Sequence, residues 1–346
     1  MTPRAVFGRA RGALLLLVCA TLVSGCSTGY VLRAAYEEAR LLWRREPIDH
    51  VLAGNVDPDT RGKLELTLAV RDYAKHSLGL SVGGCYKSIA TVETSQIVHV
   101  VTAAPRDRLV SYTWWFPIVG SVPYRSYFDA ADADALAASL AHDGYDTYVR
   151  PAVAFSTLGW FDDPLLSNLL HYDDERLAET IIHELLHNTI YIPGQTAFNE
   201  SLATFVGHRG AEAFFRAQDE PSRANASAAR WADALTYSAF LDRLTEQLQA
   251  AYTHGISDAD RTALFDRARA EFAAQPWQTN EYAGFERAEL NNAVVLHDQF
   301  YADRLALFQA AYARNGEDLR AAVAWIREAV QDHSDPFTAL QRALDG

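Results

Sequence analysis

The sequence predicts an α+β chain, with a small mixed sheet in the N-terminal half and a mostly helical C-terminal half. Two observations predict this class. Between residues 84 and 120, short β-branched and aromatic runs alternate with turn residues, as strands require. From Asp173 onward, apolar residues recur at helical spacing almost to the end of the chain. The 346 residues, 49% of them hydrophobic, suffice for one large core, and no long linker divides them. The expected organisation is a single unit over residues 26–346, with an α+β part near 30–170 and a helical part over 171–346.

Residues 1–25 read as an address. Arg4, Arg9 and Arg11 precede an apolar run from Ala13 to Val23, which is followed by Ser24, Gly25 and Cys26. A basic start, a short apolar core and small residues before a cleavage site describe a secretory signal peptide. The run is too short for a spanning helix, which needs about 20 apolar residues. The Ser-Gly-Cys sequence resembles the lipobox of bacterial lipoproteins, which implies that the mature chain begins at a lipidated Cys26 and is held at the membrane by acyl chains. Ser27 replaces the Asp that this pattern associates with inner-membrane retention. The expected location is therefore the outer membrane, facing the periplasm. Cys85 then has no disulfide partner, because Cys19 leaves with the leader, and it reads as a buried, inert thiol.

In chain order, Tyr30 to Arg45 and Arg61 to His76 read as helices. Ile97 to Val101 and Tyr112 to Phe116 read as strands, Ala130 to Ala141 as an alanine-rich helix, and Thr147 to Leu158 as a further strand. Breaks in the helical half are expected at Pro193-Gly194, over the Ser/Ala/Asn-rich stretch from Pro221 to Ala228, and near Gly255 and Pro276. A net charge of −13 excludes nucleic acid as the main partner, since phosphate binding needs a basic surface.

The chemistry concentrates at His183-Glu184-Leu185-Leu186-His187, an H-E-x-x-H sequence. On a helix, residues i and i+4 share a face, so both imidazoles can hold one cation and the intervening carboxylate can take a proton from a water there. Asp173 or Asp174 can cap that helix, and Leu177, Ile181, Ile182 and Leu185 supply its buried stripe. The metzincin extension is excluded, because Ile190 and Pro193 stand where it requires glycine and histidine. Asn199-Glu200, followed by small residues up to Ala203, resembles the third-ligand helix of the gluzincins, which makes Glu200 the expected third ligand. His208, two turns further on, is the competitor. His99, His171 and His297 have no partner at ligand spacing and read as structural.

Beyond this motif, several stretches resemble the bacterial putative-aminopeptidase family, zinc-metallopeptidase-like lipoproteins of gluzincin type. They are Phe116 to Phe128, Ser156 to Leu166, His183 to His187, Phe198 to Ser201, and Asn291 to Ala293. The resemblance implies a zincin-like fold, one Zn²⁺ per chain on His183, His187 and Glu200, Glu184 as general base, and peptides as substrates. A donor for the carbonyl oxygen is expected among Tyr282, Tyr301, Tyr191 and His208. The strand from Thr147 is the expected bed for a peptide, by strand addition. Asp162 and Asp163 have two readings, as an ammonium-binding pair or as a turn before Pro164. The segment Tyr124 to Tyr127 is either a substrate-carboxylate clamp or aromatic core with a surface Arg125. Asn291 and Asn292, read as lying inside a helix from Leu290 to Leu305, are expected to orient a substrate or a loop. The alternative functions are a non-catalytic, zinc-containing envelope lipoprotein acting as a binding or assembly factor, and more distantly a cell-wall amidase. An intact Glu184 favours the peptidase.

Overall fold

The computed structural model describes residues 42–92, 98–116, 120–152 and 162–346. The leader and Cys26, most of the helix expected from Tyr30, Ile97, and the end of the strand expected to reach Leu158 lie outside the described residues. The chain divides into residues 1–45 and residues 46–346. Of the first unit, residues 42–45 are described; the sheets, the cleft and helices α1 to α12 belong to the second. No described helix is long and apolar enough to cross a membrane.

The described strands are β1 (Glu46–Pro47), β2 (Ser88–Ala90), β3 (Val98–Pro105), β4 (Trp114–Phe116), β5 (Gly120–Val122), β6 (Arg125–Tyr127), β7 (Tyr145–Ala152) and β8 (Leu165–Leu166). They form two three-stranded sheets, β1-β2-β8 and β6-β3-β7, and the hairpin β4-β5. The first sheet is mixed, since β2 runs antiparallel to β1 and parallel to β8. In the second, β3 lies antiparallel to both neighbours, with Val100 opposite Ser126 on one side and Arg150 on the other. The period-2 alternation of strands gives this sheet two faces. Val101, Tyr127 and Val149 pack on Ala133 and Ala137 of α3 (Ala130–His142). Val98, Val100, Ser126 and Arg150 line a cleft on the opposite face.

The helices are α1 (Ile48–Ala53), α2 (Pro58–His76), α3, α4 (Asp174–His187), α5 (Thr196–Ala217), α6 (Pro221–His254), α7 (Asp258–Ala273), α8 (Gly284–Arg287), α9 (Asn292–Ala302), α10 (Leu305–Arg314), α11 (Leu319–Val330) and α12 (Pro336–Asp345). The break expected over Pro221 to Ala228 is absent: α6 runs unbroken for 34 residues. Pro221 sits at its first turn, where a missing N–H costs nothing, and Ala224, Ser227 and Trp231 are buried along it. The other breaks fall where expected, with Gly194 and Gly255 both at φ near +75°, the left-handed region that favours glycine. Cys85 is a buried thiol that accepts from Asn188 Nδ2 at 3.4 Å, and burial raises its pKa.

Helices α4 and α5 cross at very short range. The sequence points to Ala203 as the small residue permitting this, and Ala203 is fully buried. The tightest approaches lie one and two turns further on. A Cβ on Gly207 would stand 2.9 Å from the Glu179 carbonyl oxygen and 3.3 Å from His183 Cβ, and one on Gly210 would stand 2.9 Å from Ile182 Cγ2. Gly207→Ala therefore sets two effects against each other. Helix propensity favours Ala by about 1 kcal/mol. The clash is with backbone that cannot swing aside, and overpacking costs about 1–3 kcal/mol. The expected net result is destabilisation, measured as a lower urea midpoint; a midpoint at or above wild type would show that the helices part freely.

A candidate metal centre and its cleft

Helix α4 begins where the sequence predicts. The Asp173 side chain accepts from the Arg176 N–H at 2.7 Å, and Asp174 and Glu175 complement the first-turn dipole. Asp174 is also held by Lys63 at 2.5 Å and Arg223 at 2.7 Å. With Leu177, Ile181, Ile182 and Leu185 buried, His183, Glu184 and His187 turn toward the cleft.

The three residues Asn199, Glu200 and Ser201 position the facing helix. Asn199 grips both backbone groups of Ile192, accepting from its N–H at 2.9 Å and donating to its carbonyl at 2.8 Å, which fixes the reversal between α4 and α5. Glu200 points into the cleft. Ser201 donates to the Phe300 carbonyl at 3.0 Å and accepts from the Asp303 N–H at 2.9 Å, which ties α5 to the end of α9.

These supports bring His183, His187 and Glu200 together, with one ligand atom from each inside a 4.8 Å span. Glu200 Oε2 lies 3.2 Å from His183 Nε2 and 3.6 Å from His187 Nε2. Tetrahedral zinc with ligand bonds near 2.1 Å places neighbouring donors about 3.4 Å apart. The two separations bracket that value, so this donor set fits a zinc-sized cation. Burial raises the Glu200 carboxyl, but the two imidazoles outweigh it and hold the pKa far below the ordinary carboxylate range. Burial also raises Glu184, helped by Glu200 and Asp163 and opposed by the two imidazoles.

The cleft has a volume of about 370 Å³. His208 lines it outside the group of converging donors, with its Nδ1 3.1 Å from Glu179 Oε2. Tyr301 and Tyr282 also line it. The Tyr301 ring stacks on His183 with centroids 6.3 Å apart, while Tyr282 packs on Tyr237 at 4.3 Å. Burial, then Glu200, raises the Tyr301 hydroxyl, so it keeps its proton. Tyr191 is not among the lining residues, although Glu200 reaches its hydroxyl electrostatically. Asp162 lies elsewhere, accepting from the Gly84 N–H at 2.7 Å, and Asp163 is buried with its carbonyl bonded to the Tyr86 N–H.

The structure corrects the reading of Asn291 and Asn292. They open a helix rather than interrupt one, for the chain is irregular through Leu290 before α9, and Arg304, left-handed at φ 49°, separates α9 from Leu305. Asn291 caps α9 by accepting from the Val294 N–H at 3.0 Å and donates to the Thr147 carbonyl at 3.1 Å. Asn292 donates to the Pro105 carbonyl at 2.8 Å. Both fasten loops and strands, and neither lines the cleft.

The cleft holds residues to which the sequence reading gave another role or none. Of the segment Tyr124 to Tyr127, Tyr124 and Ser126 line the cleft, while Arg125 lies over the Tyr127 ring. Arg150 enters from β7. His297, read as structural, is buried in the cleft wall against Tyr148 and Tyr301, and neither ring nitrogen has a hydrogen-bond partner among the described residues. Burial, then Arg150, lowers its pKa well below the usual histidine value, so the ring is neutral.

The family model described as "Putative aminopeptidase" matches residues 29–336. No curated protein and no solved structure matches the chain.

Proposed function

Because this chain belongs to the putative-aminopeptidase family, we propose that it is a zinc-dependent peptidase that releases N-terminal residues from peptides. The observation that carries this reading is the convergence of His183, His187 and Glu200 on one point of a cleft that also holds Glu184. The two imidazoles and the Glu200 carboxylate would hold the ion. When bound, zinc polarises the scissile carbonyl and acidifies a water. Glu184, with its proton affinity raised by burial, takes the proton of the attacking water and passes it to the departing amine. Tyr301, protonated and stacked on His183, is placed to donate to the carbonyl oxygen as it gains charge. Placement at the envelope through Cys26 is part of the same proposal, and loss of fatty-acid labelling in Cys26→Ala is its check.

The test is hydrolysis of matched peptides with free or acetylated N-termini, using zinc-loaded and chelator-treated protein. Cleavage of free N-termini alone, abolished by chelation and restored by zinc, is the expected result. Equal cleavage of acetylated peptides would make the chain an endopeptidase. A zinc-loaded chain inert toward every peptide would end the peptidase reading and favour a binding lipoprotein.

A further inference from the structure

One cation lining the cleft has no carboxylate partner among the described residues. Outside the ligand group and Glu184, the cleft carboxylates are Glu179 and Glu281. Glu179 faces His208, and Glu281 is held at 3.2 Å by both Arg176 and Arg230. Arg150 differs from these cations. Its guanidinium lies over the Tyr301 ring, 5.5 Å from the centroid, and no carboxylate among the described residues pairs with it. The buried acid nearest in its influence, Asp298, already accepts from the Tyr237 hydroxyl at 2.5 Å. His297, 3% exposed and uncharged, packs against the same Tyr301 ring at 5.8 Å and gives Arg150 no counter-charge. A guanidinium is matched in shape and charge to a carboxylate.

We propose that Arg150 forms a subsite for a carboxylate of the peptide on the leaving-group side of the scissile bond. This rests on the peptidase reading of the same cleft. The spacing suits a short substrate. Arg150 lies one ring contact beyond Tyr301, and Tyr301 lies one ring contact beyond His183, at 5.5 and 6.3 Å. Those two contacts bound the reach from above, and one to three extended residues, each about 3.3–3.6 Å long, fall within it. The preferred substrates are then di- to tetrapeptides whose C-terminal carboxylate docks on Arg150, or peptides with an acidic side chain at that distance.

The test is calorimetric binding to the zinc-loaded, full-length Glu184→Gln chain, which holds peptides without turning them over. The ligands are trialanine, trialanine amide and the amide of Ala-Glu-Ala. Trialanine is expected to bind at least tenfold more tightly than its amide. Adding Arg150→Gln should abolish that ratio, and Arg150→Lys, which keeps the charge but not the fork, should leave part of it. Recovery of affinity by Ala-Glu-Ala amide would assign the subsite to side-chain carboxylates, and its failure to the C-terminus. Equal binding of acid and amide, absence of binding by all three, or a ratio that survives Arg150→Gln would overturn the subsite. Acid-selective binding by a wild-type chain that cleaves nothing would leave the subsite standing and remove the peptidase reading, so the two failures are distinguishable.

Discussion

Replacing Glu184 with glutamine is expected to lower kcat/KM for peptide hydrolysis by about 10²–10⁴-fold, the contribution of a positioned general base. Zinc content should stay at one ion per chain. Glutamine keeps the size and one acceptor oxygen of Glu184 but cannot carry a proton from water to amine. The donor set is untouched, since His183, His187 and Glu200 make their approach without Glu184. Metal analysis of the purified variant and steady-state kinetics on one peptide decide the matter. Activity within a few-fold of wild type would remove Glu184 from the reaction, while loss of zinc along with activity would make it a support of the ligand group. Either outcome differs from that of a structural metal site, in which wild type and variant are equally inert.

The second large effect lies away from the cleft. Asp146, 6% exposed, pairs with the guanidinium of Arg261, which is 8% exposed, and accepts from the Asn292 N–H at 2.9 Å. Arg261 Nε donates to the Tyr252 hydroxyl at 3.1 Å, and that hydroxyl donates to Asn292 Oδ1 at 2.6 Å. Three side chains and Asn292, which contributes both its N–H and its side-chain oxygen, close a partly buried ring joining β7, α6, α7 and the start of α9. Asp146→Ala leaves a guanidinium buried without its counter-charge, and breaking such a pair costs about 3–5 kcal/mol. Chemical denaturation should show a loss of that size. The double variant Asp146→Ala, Arg261→Met should recover a good part of it, because the orphaned charge goes too. A loss under about 1 kcal/mol, or no recovery in the double variant, would mean that water already reaches the pair.

Much of the site was legible because its parts are local. The H-E-x-x-H residues share one helix face by geometry alone, and the cap, the first-turn acids and the apolar stripe all lie on or beside a helix of 14 residues. Glu200 was legible through its neighbours, the asparagine before it and the small residues after it. Arg150 and His297 were not legible, for their meeting at the Tyr301 ring depends on a strand and a helix more than a hundred residues apart in sequence. His297 also sits in an apolar stripe that looks like ordinary core. The fold class was readable from strand alternation and helical period. The misreadings came where one signal masked another. A Ser/Ala/Asn-rich composition resembles a loop, but alanine is the best helix former, and Pro221 at a first turn starts a helix rather than ending one. The apolar spacing from Leu290 to Leu305 stays in phase across two helix boundaries, so periodicity alone joined what the Asn291 cap and the left-handed Arg304 separate.

Successive residues on a helix point about 100° apart, so the tripeptide Asn199-Glu200-Ser201 looks in three directions at once, toward the reversal, the cleft and the end of α9. A one-residue insertion or deletion there would misaim all three together. The turn Pro193-Gly194, which carries no cleft side chain, can absorb a change of length so long as Ile192 still meets Asn199. Variation in the length of this chain is therefore tolerated at that turn and forbidden within the tripeptide.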